Sequence, residues 1–534
     1  MEQITYLLFI KRLDDLHTLE ERKASRTGKP MERRIFPEGC DDQWRKYDDL
    51  RWSHFKDAAP GALTMLTRLE VRGFKNLLDV DVEFGPFTCI AGANGMGKSN
   101  VFDAIEFLSY LATDSLQQAT QRVRSAAGNT GSDPRDLFWD GYRGKRHEMT
   151  LAAEMIVPGE VEDDLGERAR PSATCLRYEV TLRYEPAKGE HGLRRFHLVR
   201  EDLRQIGDAP ARLRFPASAA FLNAVVSAAD RGRIFLSTKR RQEDGLVVDV
   251  HAERERRSEM RSRLVERANR TVLSTMNTSD YPTVLAARRE MQSWRRLALE
   301  PSALRAPDEQ NDPESLTPNG RHLAKTLYRV AHAPDWSIDP ERMYATVAGR
   351  LSDLAGVNVD ALDVEFDEAR EIFTLFLQER GGLRLPARAL SEGTLRFLAL
   401  CVLLEDAEFT GLICMEEPEN GIHPANLPAM VQLVRDLAVD PTDPPGDANP
   451  FRQVIVNTHA PGVVQLCDPA DLLLAQLRPS STPDRGVVRS LSLLPYRKSW
   501  RAQPGRPTFS EADVVAYLAN PPSAGLRLPP GLTA

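Results

Sequence analysis

Eight residues constrain this chain more than any others: Gly92-Ala93-Asn94-Gly95-Met96-Gly97-Lys98-Ser99. They satisfy the phosphate-loop pattern G-x-x-x-x-G-K-[ST] at every fixed position. The flanks fit as well. Pro86 to Ala91 reads as a short buried strand, and Asn100 to Leu111 carries Val101, Phe102, Ile105, Phe107, Leu108 and Leu111 as the apolar stripe of a helix. In a strand–glycine loop–helix unit, successive backbone N–H groups turn toward one point, and the helix N-terminus adds partial positive charge there. Gly92, Asn94, Gly95, Gly97, Lys98, Ser99 and Asn100 are therefore the candidate nucleotide-binding residues. Lys98 is placed to reach β- and γ-phosphates and Ser99 to offer its hydroxyl to Mg²⁺.

Composition narrows the class. A length of 534 residues, 42% hydrophobic and 28% charged, describes a soluble globular chain with core for two to four domains. The net charge of −7 leaves no global basic field, so any nucleic-acid contact must use a local patch. Six scattered cysteines without a C-x-x-C argue against a zinc ribbon or disulfide framework and suit a reducing cytoplasm. No apolar run approaches a membrane span, and the first residues lack the pattern of a signal peptide.

Residues 1–58 read as a separate, helical segment, with Ile4, Leu7, Leu8, Ile10, Leu13 and Leu16 on one stripe; residues 59–64 read as a linker. Residues 65–112 hold two strands and the phosphate loop. Residues 113–385 read as an inserted lobe. Its first half is strand-like, with a hairpin pairing Leu176–Tyr184 and Leu193–Arg200, and further strands at Arg233–Thr238 and Leu246–Val250. Its second half reads as helical, including His251–Arg270 and Arg288–Leu299, with a loop at Pro301–Pro318. In the Arg-rich stretch, arginines at 254, 256, 257, 261, 263, 267 and 270 interleave with glutamates, which reads as a solvated helix face or as a DNA-contact surface. Lys239-Arg240-Arg241 is a second, weaker phosphate-contact candidate. Residues 386–520 supply Leu390-Ser391-Glu392-Gly393-Thr394, then a strand, Leu412–Met415, ending in Glu416-Glu417-Pro418-Glu419-Asn420-Gly421-Ile422-His423-Pro424, and a further strand ending in Asn457-Thr458-His459. A tail follows from residue 521.

In this order, the loop G-A-N-G-M-G-K-S, the L-S-E-G-T, the L-I-C-M-E-E-P-E-N-G-I-H-P and the N-T-H resemble an ABC-type ATPase head of the SMC, RecF and OLD lineage, nearest to AAA-family ATPases of prokaryotic defence systems. The resemblance covers about Met65 to Leu494. It implies an α/β fold: an ABC-type P-loop ATPase head with an antiparallel β lobe and an inserted helical/β arm domain. It implies ATP and Mg²⁺ as cofactors, with Ser99 and Glu416 at the metal, Glu417 as the base orienting the attacking water, and His459 as the γ-phosphate switch. Glu416 departs from the family's usual Asp. Ser391 and Gly393 match a signature that grips the nucleotide of a second subunit, which implies a homodimer or higher oligomer, and Glu419 and Asn420 fall in the subunit-crossing D-loop. The Q-loop glutamine has no clear counterpart; Gln117, Gln118 and Gln121 are nearby.

The words E-Q-I-T-Y-L-L-F-I-K-R-L-D-D-L-H-T-L-E-E and D-D-L-R-W-S-H-F-K resemble part of the N-terminal helical region of the methyltransferase subunit of type I restriction systems. No methyl-donor domain follows. The segment reads either as a fused docking module or as a remnant of a neighbouring gene ahead of a start at Met65. The functional expectation is the ATPase or sensor of an anti-phage system, cytoplasmic, working with a separate protein effector such as a nuclease and with a possible DNA contact. A RecF- or SMC-like repair or chromosome-maintenance factor is the alternative. An OLD-type nuclease fits less well, because little chain follows His459 and it carries no acidic D-x-D cluster. A transporter ATPase subunit fits poorly with the long insertion.

Overall fold

The computed structural model describes residues 64–123, 133–143, 147–185, 195–207, 213–226, 232–241, 245–253, 261–332, 340–355, 359–446, 449–482 and 486–519. The expectations for the segment 1–58, its linker and the tail from 521 lie outside them, as do Arg254, Arg256 and Arg257. Everything below concerns the unit Ala62–Pro445 with Pro450–Ala534.

At its centre is a six-stranded sheet in the order Arg295–Leu297, Gly411–Glu416, Arg452–Thr458, Phe87–Ala91, Leu472–Thr482, Gly486–Pro495. The first five strands are parallel, and the last is the antiparallel return of a hairpin. Parallel strands need cover on both faces and so read as unbroken apolar runs. Phe87–Ala91 is buried at all five positions and Arg452–Thr458 at all seven. The period-2 alternation sorts these residues between two cores. Leu412, Cys414 and Ile455 join one hydrophobic cluster. Ile413, Met415, Val454 and Val456 join the other.

The first cluster is shared with an eight-stranded antiparallel sheet, ordered Arg261–Leu264, Gly245–Val250, Ile234–Arg241, Arg195–Gln205, Cys175–Glu185, Glu148–Ile156, Met65–Phe74, Leu77–Glu83. The helices Lys98–Leu111 and Pro282–Ser293 contribute Val101, Phe102, Ile105, Val284, Leu285 and Met291 to that cluster. Phe107 stacks on Phe74 at 5.7 Å between ring centroids. The second cluster holds the helices Glu392–Glu405, Leu323–Ala331 and Leu427–Asp436 and the small sheet around Val359–Asp367 and Ile372–Glu379. The mixed α/β head with an antiparallel β lobe is thus the observed architecture.

One buried amide joins the two large sheets. Gln453 Oε1 accepts from Leu66 N at 2.9 Å, and its Nε2 donates to Leu66 O at 2.8 Å and Gly85 O at 3.0 Å. Its side chain stands in for a strand neighbour to Leu66, satisfying backbone groups that burial would otherwise strand.

Three sequence expectations are corrected. The helical reading of His251–Arg270 fails where the chain is described: Arg261–Leu264 is an exposed edge strand paired antiparallel with Gly245–Val250. Alternating charge carries no period of its own, and edge arginines are a common protection of an open sheet edge. The helical stripe over Arg288–Leu299 ends at Ser293. Trp294 Nε1 donates to Glu290 Oε1 at 2.7 Å, and Arg295–Leu297 becomes an edge strand of the central sheet. The division at residue 112 is also crossed, since Met65–Phe74 pairs with Glu148–Ile156 in one sheet.

Gln453→Leu should lower the unfolding free energy by roughly 2–4 kcal/mol, because three buried backbone groups lose their partner. Denaturant melts of the full chain measure this, and a shift below about 1 kcal/mol would show the amide clasp to be dispensable.

Candidate functional site

The carboxyl ends of three adjacent parallel strands meet at one place. Phe87–Ala91 runs into the glycine loop, Gly411–Glu416 into Glu416-Glu417, and Arg452–Thr458 into His459. Register fixes their alignment, with Glu416 opposite Asn457 and Thr458 opposite Ala91. A cavity of about 640 Å³ opens there, walled by Asn94, Gly95, Gly97, Lys98, Ser99 and Asn100, by Glu416 and Glu417, and by Asn457.

The glycine loop is built as a tight cradle. Gly95 and Gly97 take φ of +76° and +96°. A Cβ on Gly92 would come within 2.8 Å of Ala475 Cβ, and one on Gly97 within 1.9 Å of Asn76 Nδ2. Asn76, in the turn between the first two strands, explains that closeness. Its Nδ2 donates to Met96 O at 2.8 Å, and its Oδ1 accepts from Asn100 Nδ2 at 2.7 Å. Lys98 Nζ is buried and donates to Gly92 O at 2.7 Å and Ala93 O at 2.9 Å. Burial pulls its pKa below the ordinary lysine value, while the carboxylates of Glu417, Glu419 and Glu416 oppose the shift.

Opposite the loop, Glu417 is held from three sides. Its Oε1 lies 2.6 Å from His459 Nδ1, its Oε2 accepts from Asn420 Nδ2 at 2.9 Å, and its backbone N–H reaches Asn457 O at 3.0 Å. Its φ is +45°, a left-handed conformation that costs a residue with a side chain on the order of 1–2 kcal/mol and that clusters at functional sites. Tyr517 Oη donates to His459 O at 2.9 Å and ties down the loop that follows Arg452–Thr458. Glu419 is buried against Thr458, whose hydroxyl donates to it, and burial raises its carboxyl pKa. Glu416 is paired with Arg296 at 2.7 Å. Arg296 also reaches Asp103 and Glu106 at 3.2 Å each, and Asp103, fully buried, binds Lys75 at 2.7 Å.

Of the sequence candidates, Asn94, Gly95, Gly97, Lys98, Ser99, Asn100, Glu416 and Glu417 line one cavity, Gly92 supports it from behind, and His459 touches Glu417. Ser391 and Gly393 do not line it. Ser391 is the exposed N-cap of the Glu392–Glu405 helix and accepts from Thr394 N at 3.2 Å. Farther along that helix, Arg396 and Phe397 reach the cavity, and Arg396 also donates to Asn420 O. None of Gln117, Gln118 and Gln121 lines the cavity; all three lie in the Leu116–Arg122 helix, where Gln118 closes a capping box with Ser115. The loop beside the Gly411–Glu416 strand is instead Ala298–Pro301, and it carries Glu300. Sequence reasoning missed Asn76 and Arg296. The G-F-K-N turn was a signal for Asn76; Arg296 had none.

Gly97→Ala should lower stability by roughly 1–3 kcal/mol through its positive φ and its collision with Asn76. Adding Asn76→Ala should return part of that loss, so the double variant falls short of additivity in denaturant melts. Strict additivity would mean that the two residues do not collide.

Comparison with known proteins gives the family. A model described as "AAA domain, putative AbiEii toxin, Type IV TA system" matches residues 193–465, just over half of the chain, and a second, "AAA domain", matches residues 68–152. The chain is 36% identical over 61 residues to the DNA replication and repair protein RecF of Phocaeicola vulgatus, covering 11% of this chain and 16% of that protein. It is 46% identical over 44 residues to the OLD nuclease of Thermus scotoductus, 8% of each chain. The matched stretches thus span a sixth or less of these relatives. Among solved structures, an SMC head bound to the C-winged helix domain of ScpA aligns with TM-score 0.39 and 14% identity over 81% of this chain and 99% of that one. The SMC head domain from Thermotoga maritima aligns with TM-score 0.30 and 14% identity over 80% and 98%. With its site built on the glycine loop, a carboxylate-bearing strand end and a histidine-bearing one, the chain belongs to the AAA-domain family described as "AAA domain, putative AbiEii toxin, Type IV TA system".

Proposed function

We propose that this chain is an ATP-binding and ATP-hydrolysing ABC-type ATPase, the ATPase or sensor component of a bacterial anti-phage defence system that acts with a separate effector. One observation carries the ATPase reading: a single cavity is walled by the glycine loop and by Glu416 and Glu417, and Glu417 is held by His459. The donor set fits Mg·ATP. Ser99 and Glu416 offer oxygen ligands of the kind Mg²⁺ takes. Asn457 Nδ2 is buried on the cavity wall with no hydrogen-bond partner among the described residues, as suits a donor kept for a phosphate or its water. The cradle also has no room for side chains at Gly92 or Gly97.

Ser99 and Glu416 would hold Mg²⁺, which when bound would supply neutralising charge to the nucleotide. Lys98 exchanges its loop carbonyls for phosphate oxygens. Glu417 orients a water and accepts its proton, with Asn420 and His459 fixing the carboxylate in place. His459 turns Nδ1 to Glu417 and leaves Nε2 for the γ-phosphate. Ser391, exposed, and Gly393, half-buried, both outside this cavity, are read as gripping the nucleotide of a second copy. Support for the defence role comes from the restriction-system resemblance of residues 1–58.

The RecF match favours the second reading, a DNA-maintenance ATPase. For either role the candidate DNA surface is the sheet edge at Arg261 and Arg263; Lys239 and Arg241 are tied to Asp249 at 3.2 and 3.1 Å.

The test is ATP turnover by the full chain with and without linear duplex DNA, the DNA then run on a gel. Glu417→Gln should keep ATP binding and lose turnover by about 10²–10⁴-fold. Turnover unaffected by that substitution would defeat the catalytic assignment. DNA cut by the wild type and not by the variant would replace the separate effector with an intrinsic nuclease.

A further inference from the structure

The Arg296 guanidinium is the cation nearest to the carboxylate assigned to the metal. It sits in the three-residue edge strand Arg295–Leu297, paired in parallel with Gly411–Glu416 and in register with Cys414. Alternation puts Arg296, Cys414 and Glu416 on one face, the face that meets the phosphate-loop helix. There Nη1 lies 3.2 Å from both Asp103 and Glu106, and Nη2 lies 2.7 Å from Glu416 Oε2. The anchor of the cluster is Asp103, fully buried and shared with Lys75 at 2.7 Å. Two cations therefore face three carboxylates, and two of those carboxylates belong to the helix that starts at Lys98. An aspartate at 416, one methylene shorter, would lengthen the 2.7 Å contact to Arg296 as the two side chains now stand. The unusual glutamate thus has a structural use: it spans from the strand end to the guanidinium while still lining the cavity.

We propose that Arg296 is a positioning residue that competes with Mg²⁺ for Glu416 and so sets how much Mg²⁺ the site needs before it accepts ATP. This rests on the ATPase reading above. A divalent cation at Glu416 meets a fixed positive charge on the same carboxylate, and the interaction between like charges at such range in a half-buried site is substantial. The guanidinium stays on Asp103 and Glu106 when it yields Glu416, so release of one contact leaves the rest of the cluster in place. The loop that follows the strand, Ala298–Pro301, also lines the cavity, so the same short strand carries both the latch and one cavity wall.

The experiment is a Mg²⁺ titration of the binding of a fluorescent ATP analogue to the full chain, read by anisotropy and independent of turnover. Arg296→Gln should lower the Mg²⁺ midpoint by about threefold to tenfold, the size expected from removing one nearby charge in a partly screened site. Arg296→Lys, which cannot span three carboxylates at once, should fall between the variant and the wild type. A midpoint for Arg296→Gln equal to or above that of the wild type overturns the proposal. If that variant loses its melting transition, Arg296→Lys decides on the same terms: a midpoint below wild type supports the latch, and one at or above it overturns it. Lys98→Ala serves as the control without binding. A wild type that binds no analogue at any Mg²⁺ concentration overturns the ATPase reading and this inference with it, whereas binding with an unmoved midpoint overturns this inference alone.

Discussion

The register between three parallel strands is the constraint on which the site depends. Glu416 lies opposite Asn457 and Thr458 opposite Ala91, so the strands end level and their loops emerge side by side. Each loop then brings one chemical element: the backbone amides of the glycine loop, paired carboxylates, and an imidazole. A slip of one residue would turn every one of these side chains to the wrong face. The two hydrophobic clusters on either side of the sheet guard against that slip, since alternate residues of each strand are committed to different cores. Gln453 adds a further lock by binding Leu66 of the β lobe from within the same sheet.

Around that frame the structure keeps charged groups in balance at half-buried positions. Lys98 rests on two loop carbonyls, Glu417 on His459 and Asn420, and Glu416 on Arg296. A buried ion is costly when alone and tolerable when paired and hydrogen-bonded. Each catalytic group in this proposal therefore has a partner inside the same chain. The Ser391 signature differs. It caps its helix at an exposed surface and has no place in the cavity of its own chain. Under the proposed function, the chain carries one half of a composite site.

Much of this was legible in the sequence where the signal is local. The glycine loop, the Glu416-Glu417 strand end and the Asn457-Thr458-His459 strand end are each marked by an apolar run that stops at polar residues, and all three strands lie within two residues of the expected bounds. What the sequence did not yield depends on distant partners. Arg296 meets Asp103, 193 positions away, and Gln453 meets Leu66, 387 positions away. Arg261–Leu264 is a strand only because Gly245–Val250 pairs with it; its own residues favour neither period. Asn420 was assigned to the subunit-crossing loop by resemblance, yet in the structure it binds Glu417 of its own chain at 2.9 Å, a contact that spacing alone does not announce.

The composite site is tested most directly by the mass of the full-length Glu417→Gln variant in solution, with and without Mg·ATP. A half-site in each chain predicts a single-chain mass without nucleotide and a two-chain mass with it, reversed when Ser391 is replaced by a bulky arginine. A mass that stays at one chain while ATP is demonstrably bound would contradict the account. So would a two-chain mass indifferent to both ATP and the Ser391 change.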